Sequence, residues 1–274
     1  MTSLRAALIQ LRTPSSQAAA IAQAEPLVRQ AADRGAQLIA TPEGSNILQR
    51  DRASLFAAVR PLEEDDAVRG FRALARELRV WILIGSALVK REDGQLANRS
   101  TLVGPDGSIE ATYDKIHMFD VDLPTGERHR ESALYTPGER ATVADTPLAK
   151  VGLTICYDVR FPHLYRALAK AGAQVITVPA AFTRPTGEAH WEVLLRARAI
   201  ETGAFILAPA QGGVHEDGRG TWGRSTIVGP WGQVLARAED DAPGLVIADL
   251  DLDEVIKARA AIPALANDRS FTLP

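Results

Sequence analysis

Lys150-Val151-Gly152-Leu153-Thr154-Ile155-Cys156-Tyr157-Asp158-Val159-Arg160-Phe161-Pro162 is the stretch whose reading decides the fold. Lys150 to Ile155 has the composition of a buried strand. Cys156 sits at its carboxyl end, and the residues up to Pro162 turn the chain toward a helix. In parallel α/β sheets, ligands collect beyond the carboxyl ends of strands. A thiol placed there faces a crevice. Cys156 is the one cysteine of the chain, so it is either a small buried hydrophobe, the commonest role of a free cysteine, or a nucleophile.

Working outward, strands are predicted at Ala6 to Ile9, Gln37 to Ala40, Val80 to Val89, Val175 to Val178, Ala204 to Ala208 and Gly244 to Leu250. Val80 to Val89 is almost continuously apolar, as in a strand covered on both faces. Ala97 to Val103 and Ile109 to Tyr113 read as a pair joined by the turn Gly104-Pro105-Asp106-Gly107. Thr226 to Val228 and Val234 to Ala236 form another pair around Gly229-Pro230-Trp231-Gly232. Helices are predicted over Ser16 to Arg34, closed by Gly35, and near 66–79, 162–171, 189–202 and 251–261. Residues 117–140 read as a polar loop. Alternating strands and helices mixed with tight strand pairs predict a layered α/β sandwich. With no linker, repeat or low-complexity tract, residues 1–274 read as a single domain.

Bulk properties narrow the function. The 274 residues are 46% hydrophobic and 24% charged, with net charge -3 and pI near 6.0. No basic patch or tail favours nucleic acid or an anionic membrane. One cysteine cannot form an internal disulfide. The first residues do not read as a signal peptide, and no apolar run reaches membrane-span length, so a soluble cytoplasmic protein is expected. The five histidines show no metal-ligand spacing, and no metal is expected.

Three reactive groups follow three strands. Glu43 follows Leu38-Ile39-Ala40, Lys115 follows Thr112-Tyr113-Asp114, and Cys156 follows its own strand. Parallel packing is expected to bring the three strand ends to one rim. The chemistry of the trio is coherent. A free thiol is only about 3% thiolate at pH 7. A neighbouring carboxylate can take its proton during attack. An ammonium, with the Tyr157 backbone N–H, can hold the oxyanion that forms. Solvated loop residues would give the same pattern, and spacing alone does not separate the two readings.

The segments Thr41-Pro42-Glu43, Tyr113-Asp114-Lys115-Ile116-His117 and Gly152 to Asp158 resemble the three signature blocks of the nitrilase (carbon–nitrogen hydrolase) superfamily. The resemblance runs essentially end to end. It includes Thr186-Gly187-Glu188-Ala189-His190-Trp191, Arg196 to Glu201 and Pro230-Trp231-Gly232. Phe119-Asp120-Val121-Asp122, Cys156 to Pro162 and Ala181-Phe182-Thr183 resemble the amidase branch of omega-amidases and deaminated glutathione amidases. Val178 to Thr183, continuing into Thr186-Gly187, is most similar to the latter.

The resemblance implies a four-layer α-β-β-α sandwich that dimerises, or assembles further, through helices on one face. It implies no cofactor. Cys156 would be the nucleophile, Glu43 the general base and Lys115 the oxyanion stabiliser. Glu131, in Arg130-Glu131-Ser132, would orient Lys115 and the substrate amide. The implied substrate is a small carboxylate-bearing amide such as deaminated glutathione, or alternatively 2-oxoglutaramate, another aliphatic amide, a carbamoyl compound or a nitrile. Arg160, Arg184 and Arg224 are candidates for the carboxylate, since guanidinium binds it in a two-point fork, and Arg160 is preferred. Phe119, Phe182, His190 and Trp191 are further candidates for substrate contact. An inactive scaffold on the same fold is disfavoured by the joint presence of Glu43, Lys115, Glu131 and Cys156. The local signature of papain-like enzymes is absent.

Overall fold

The computed structural model describes residues 3–123 and 126–272. The strands are β1 Ser3–Gln10, β2 Leu38–Ala40, β3 Trp81–Lys90, β4 Leu96–Val103, β5 Ile109–Asp114, β6 Asp120–Asp122, β7 Arg128–Arg130, β8 Thr142–Asp145, β9 Lys150–Leu153, β10 Val175–Thr177, β11 Phe205–Ala208, β12 Gly212–Val214, β13 Gly220–Trp222, β14 Thr226–Val228, β15 Val234–Arg237 and β16 Gly244–Asp251. The helices are α1 Gln17–Asp33, α2 Arg52–Ala58, α3 Asp66–Leu78, α4 Pro162–Lys170, α5 Arg184–Thr202 and α6 Asp253–Ala261.

Two six-stranded sheets carry the fold, in the orders β16-β1-β2-β3-β4-β5 and β15-β14-β11-β10-β9-β8. Each has a parallel triple at its centre, β1-β2-β3 in one and β9-β10-β11 in the other. Antiparallel strands flank both triples.

Side-chain alternation explains the layers. Leu4, Ala6 and Leu8 of β1 share a core with Val151, Leu153 and Val175 of the second sheet. The alternate residues Ala7 and Ile9 pack with Val28 and Ala31 of α1 and Val68 and Phe71 of α3. Successive strand residues point to opposite faces, so the first sheet is apolar on both. Leu83 faces the sheet-to-sheet core, while Ile82 and Ile84 face the helices. Full burial of a side chain such as Phe71 contributes about 1.5–3 kcal/mol. Leu164 and Leu168 of α4 and Leu195 and Ala199 of α5 join the core of the second sheet. The order is therefore helices, sheet, sheet, helices: the α-β-β-α sandwich. No described helix is long and apolar enough to cross a membrane.

Local signals set several helix ends. Asp65 Oδ1 accepts from the Val68 N–H at 2.9 Å and caps α3, which satisfies one of the first-turn donors. Gly35, at φ 81°, takes the left-handed conformation expected after a helix end. α5 begins at Arg184 rather than near 189. Pro185 is compatible with a first turn because its missing N–H has no helical partner there. Gly187 is tolerated inside the helix because the Trp222 side chain lies 2.3 Å from where a Cβ would stand.

The expected single rim needs correction. Glu43 and Lys115 follow β2 and β5 of the first sheet, whereas Cys156 follows β9 of the second. The groups meet across the sandwich. Gly85 permits the approach, since a Cβ there would lie 1.8 Å from the Thr41 carbonyl oxygen and 2.5 Å from Pro179 Cβ. The presumed loop 117–140 also holds structure: the hairpin β6-β7 and a 3-10 turn at Glu131–Ala133.

Candidate active site

Four loops meet at one pocket of about 500 Å³, lined by Glu43, Lys115, Glu131 and Cys156 among others. The loop after β2 supplies Glu43. It is held to the neighbouring strand by Thr41 N–H to Leu83 O at 2.9 Å and Ser45 N–H to Ser86 O at 2.8 Å. The loop after β5 supplies Lys115, and the turn after β7 supplies Glu131. Cys156 opens a 3-10 turn after β9, and its N–H donates to Pro179 O at 2.8 Å.

Cys156 has φ 49°. A non-glycine residue in this left-handed region stores roughly 1–3 kcal/mol of strain. Asp158 holds the turn that imposes it. This fully buried carboxylate accepts from Ile155 N–H at 2.8 Å and Tyr113 O–H at 2.7 Å through Oδ2. Through Oδ1 it accepts from His117 N–H at 3.1 Å and His117 Nδ1 at 2.7 Å. A carboxylate can only accept, so this ring nitrogen carries a proton. Asp158 thus ties the loop bearing Lys115 to the turn bearing Cys156.

The charged centre is densely bonded. Lys115 Nζ donates to Glu43 Oε1 at 2.9 Å and to Glu131 Oε1 and Oε2 at 2.9 and 2.8 Å, which commits its three protons. Glu43 Oε1 also accepts from Asn98 Nδ2 at 2.9 Å, and Oε2 accepts from the Ala181 N–H at 2.9 Å. Glu131 Oε2 accepts from the Phe119 N–H at 2.7 Å.

These contacts set the protonation states. Burial pushes the Glu43 acid up, but Lys115, the Cys156 thiol and Asn98 outweigh it and hold its pKa below the ordinary value. Burial pushes the Cys156 thiol well up, and the Glu43 carboxylate adds to this against an opposing pull from Lys115. Burial disfavours the Lys115 ammonium, but Glu131 and Glu43 override it and raise its pKa. These directions favour a protonated thiol, an ionised Glu43 and a charged lysine at rest. Among the described residues, no backbone carbonyl accepts from the Tyr157 N–H beside the thiol.

The other expected residues divide. Phe119, Tyr157 and Phe182 line the pocket. Arg160 does not. Its guanidinium lies over the Tyr157 and Phe182 rings, 5.8 and 5.5 Å from their centroids, and shares its N–H groups with His190 Nδ1 at 3.3 Å. His190 is exposed and does not line the pocket. Trp191 packs behind Phe182 at 4.9 Å between ring centroids and donates to Arg224 O at 2.9 Å. Arg184 pairs with Asp241 at 2.6 Å, and Arg224 lies over Trp222. Sequence reasoning missed Asn98, Tyr135, Arg50 and Arg219, all of which line the pocket. Asn98 is an ordinary polar residue within a strand pattern. The arginines belong to loops whose path no local pattern gives.

Comparison with known proteins agrees with this geometry. The profile of the family described as carbon-nitrogen hydrolase matches residues 5–260. A deaminated glutathione amidase of Yersinia enterocolitica is 41% identical over 272 residues, covering 98% of this chain and 94% of that protein. The human omega-amidase NIT2 is 36% identical over 270 residues, covering 98% and 96%. The NitFhit protein of C. elegans superposes with a TM-score of 0.90 at 31% identity, covering 98% of this chain and 66% of that one. An amidase of Nesterenkonia sp. AN1, solved with acrylamide added at its active-site cysteine, superposes with a TM-score of 0.78 at 28% identity, covering 95% and 98%. Sequence, fold and the meeting of thiol, carboxylates and ammonium in one pocket lead to a single conclusion: the chain belongs to the carbon–nitrogen hydrolase family and is a hydrolase acting on amides.

Proposed function

We propose that this enzyme hydrolyses a small carboxylate-bearing amide through a Cys156 thioester, with deaminated glutathione as substrate and 2-oxoglutarate and cysteinylglycine as products. The observation that carries the mechanism is the meeting of Cys156, Glu43, Lys115 and Glu131 in one pocket, with Lys115 donating to both carboxylates. Cys156 Sγ attacks the amide carbon as its proton passes to Glu43. The oxygen gathers negative charge, which the Lys115 ammonium and the Tyr157 N–H stabilise. Glu43 returns the proton to the leaving nitrogen as the carbon–nitrogen bond breaks, and the amine departs. Water then gives a proton to Glu43 and adds to the thioester. Collapse of that adduct returns the proton to sulfur and frees the acid. Glu131 keeps Lys115 in place throughout. These steps use side-chain and backbone groups and water alone.

Arg50 and Arg219 line the pocket away from Arg160. Arg50 has no acidic partner among the described residues, and Arg219 reaches Asp217 only at 3.5 Å. They replace Arg160 as the groups proposed to hold the substrate carboxylate. The 36% identity to omega-amidase NIT2 supports 2-oxoglutaramate as the second reading.

The assembly proposed is a homodimer or higher oligomer of one 1–274 domain, located in the cytoplasm and without a nucleic-acid partner. Trp231 and Ile262 are 60% and 55% exposed beside an apolar groove of about 340 Å³, which supports pairing there.

The test is product release from a panel of amides, including deaminated glutathione and 2-oxoglutaramate, by wild type and Cys156→Ala. Turnover by wild type and none by the variant is expected. Turnover that survives Cys156→Ala refutes the mechanism, and a wild type inert on every amide refutes the assignment of substrate class.

A further inference from the structure

Asn98 is the third residue of β4, 3% exposed. Its Nδ2 donates to Glu43 Oε1 at 2.9 Å and Glu131 Oε1 at 3.3 Å. Both partners are acceptors, which fixes the amide with its nitrogen toward them. The other end, Oδ1, is then buried without a partner among the described residues. Its main chain is also engaged, since the Lys115 N–H donates to Asn98 O at 2.9 Å. A buried carbonyl oxygen left unpaired is a cost that stability alone does not explain. An apolar side chain of similar shape would leave no such orphan on the residue itself.

The arrangement has a chemical consequence. Glu43 Oε1 receives Lys115 Nζ and Asn98 Nδ2. Neither group can accept a proton at that position: an ammonium has no lone pair, and a side-chain amide nitrogen only donates. Both acceptor sites of Oε1 are therefore filled. Among the described residues, Oε2 accepts from the Ala181 N–H alone and keeps one site open. A proton leaving the Cys156 thiol can be received at that oxygen alone. Lys115 by itself would not enforce this, since two of its three protons go to Glu131.

We infer that Asn98 is a positioning residue that, set between the Glu43 and Glu131 carboxylates, closes Glu43 Oε1 to protons and directs the thiol proton to Oε2. The inference rests on the proposed role of Glu43 as base. Its donation also opposes protonation of Glu43, so its loss moves the acidic limb of thiol reactivity upward.

The single cysteine allows a readout independent of amide turnover. The rate of alkylation of Cys156 by iodoacetamide is followed against pH in wild type, Asn98→Leu and Asn98→Asp, alongside kcat/KM on a hydrolysed amide. In Asn98→Leu the acidic limb is expected at higher pH, with kcat/KM lowered about ten- to hundredfold. Asn98→Asp keeps the shape but adds a third carboxylate, and its limb is expected higher still. This second variant decides the question if Asn98→Leu does not fold. An unmoved limb in a folded variant overturns the inference, even where activity falls, because a merely structural role lowers rate without moving the limb. A wild type without an acidic limb overturns both this role and that of Glu43 as base. A protein that cleaves no amide yet shows the Asn98-dependent limb refutes the substrate assignment and supports the positioning role.

Discussion

Asp158→Asn tests how the two loops of the active centre are held together. The substitution conserves shape and keeps one oxygen for His117. It turns an NH2 group toward Ile155 N–H and Tyr113 O–H, which now donate at 2.8 and 2.7 Å. The tyrosine hydroxyl can rotate and accept. The Ile155 N–H is fixed by the backbone and loses its acceptor. One buried orphan donor costs about 1–3 kcal/mol, and a lost bond to a charged acceptor adds about 1 kcal/mol or more. The expected loss is about 2–4 kcal/mol, a sizeable share of the roughly 5–15 kcal/mol that stabilises a domain. That corresponds to a fall in Tm of roughly 4–15 °C. Because the loosened segments carry Lys115 and Cys156, kcat should fall more than KM rises. Urea unfolding and steady-state kinetics check both. A double-mutant cycle with Tyr113→Phe should return a coupling of about 0.5–3 kcal/mol. A variant within about 0.5 kcal/mol of wild type, or strict additivity with Tyr113→Phe, would refute the view that Asp158 clamps the two loops.

The pH dependence follows from the site. Glu43 is held below its ordinary 4.5 and Cys156 well above its ordinary 9.0. Activity, which needs ionised acid and protonated thiol, should be flat from about pH 5 to about pH 9; a limb near neutrality in kcat/KM contradicts this. Because Glu43 is lowered on folding, its stabilising contribution is present above 4.5 and is lost as pH falls through its folded value. Arg219→Gln should raise KM about tenfold or more for a carboxylate-bearing amide while leaving a neutral amide such as butyramide unaffected; equal effects on both would remove Arg219 from carboxylate binding. Trp231→Asp should lower the solution mass measured by sedimentation by disrupting the proposed interface, and an unchanged oligomer would place that interface elsewhere.

Most of the chain order was readable because strands covered on both faces are apolar throughout, as Val80 to Val89 displays, whereas the short elements α2, β6, β7, β8, β12 and β13 lack such a pattern and were not anticipated. That Glu43, Lys115, Glu131 and Cys156 share one pocket could be anticipated because each lies in a local motif. Arg160 stands outside the pocket lining for a physical reason: four residues past Cys156 in sequence, at the end of the 3-10 turn, it lies over the Tyr157 and Phe182 rings. Arg219 reaches the pocket from the β12-β13 connection, more than sixty positions from the cysteine. Nothing local announces such a placement.

The sequence by itself determined the class of fold and the family, and it singled out the candidate reacting groups, since these depend on residue types at short spacing. Only the tertiary structure decided that the groups come from two sheets rather than one. It also decided that all three protons of Lys115 are committed to carboxylates, and that Asn98 and Asp158 complete the centre. Hydrogen bonds and protonation states depend on distances between segments far apart in the chain. Those distances are set by sheet packing and by the close approach at Gly85, where hydrogen in place of a Cβ lets the loop bearing Glu43 lie against Pro179.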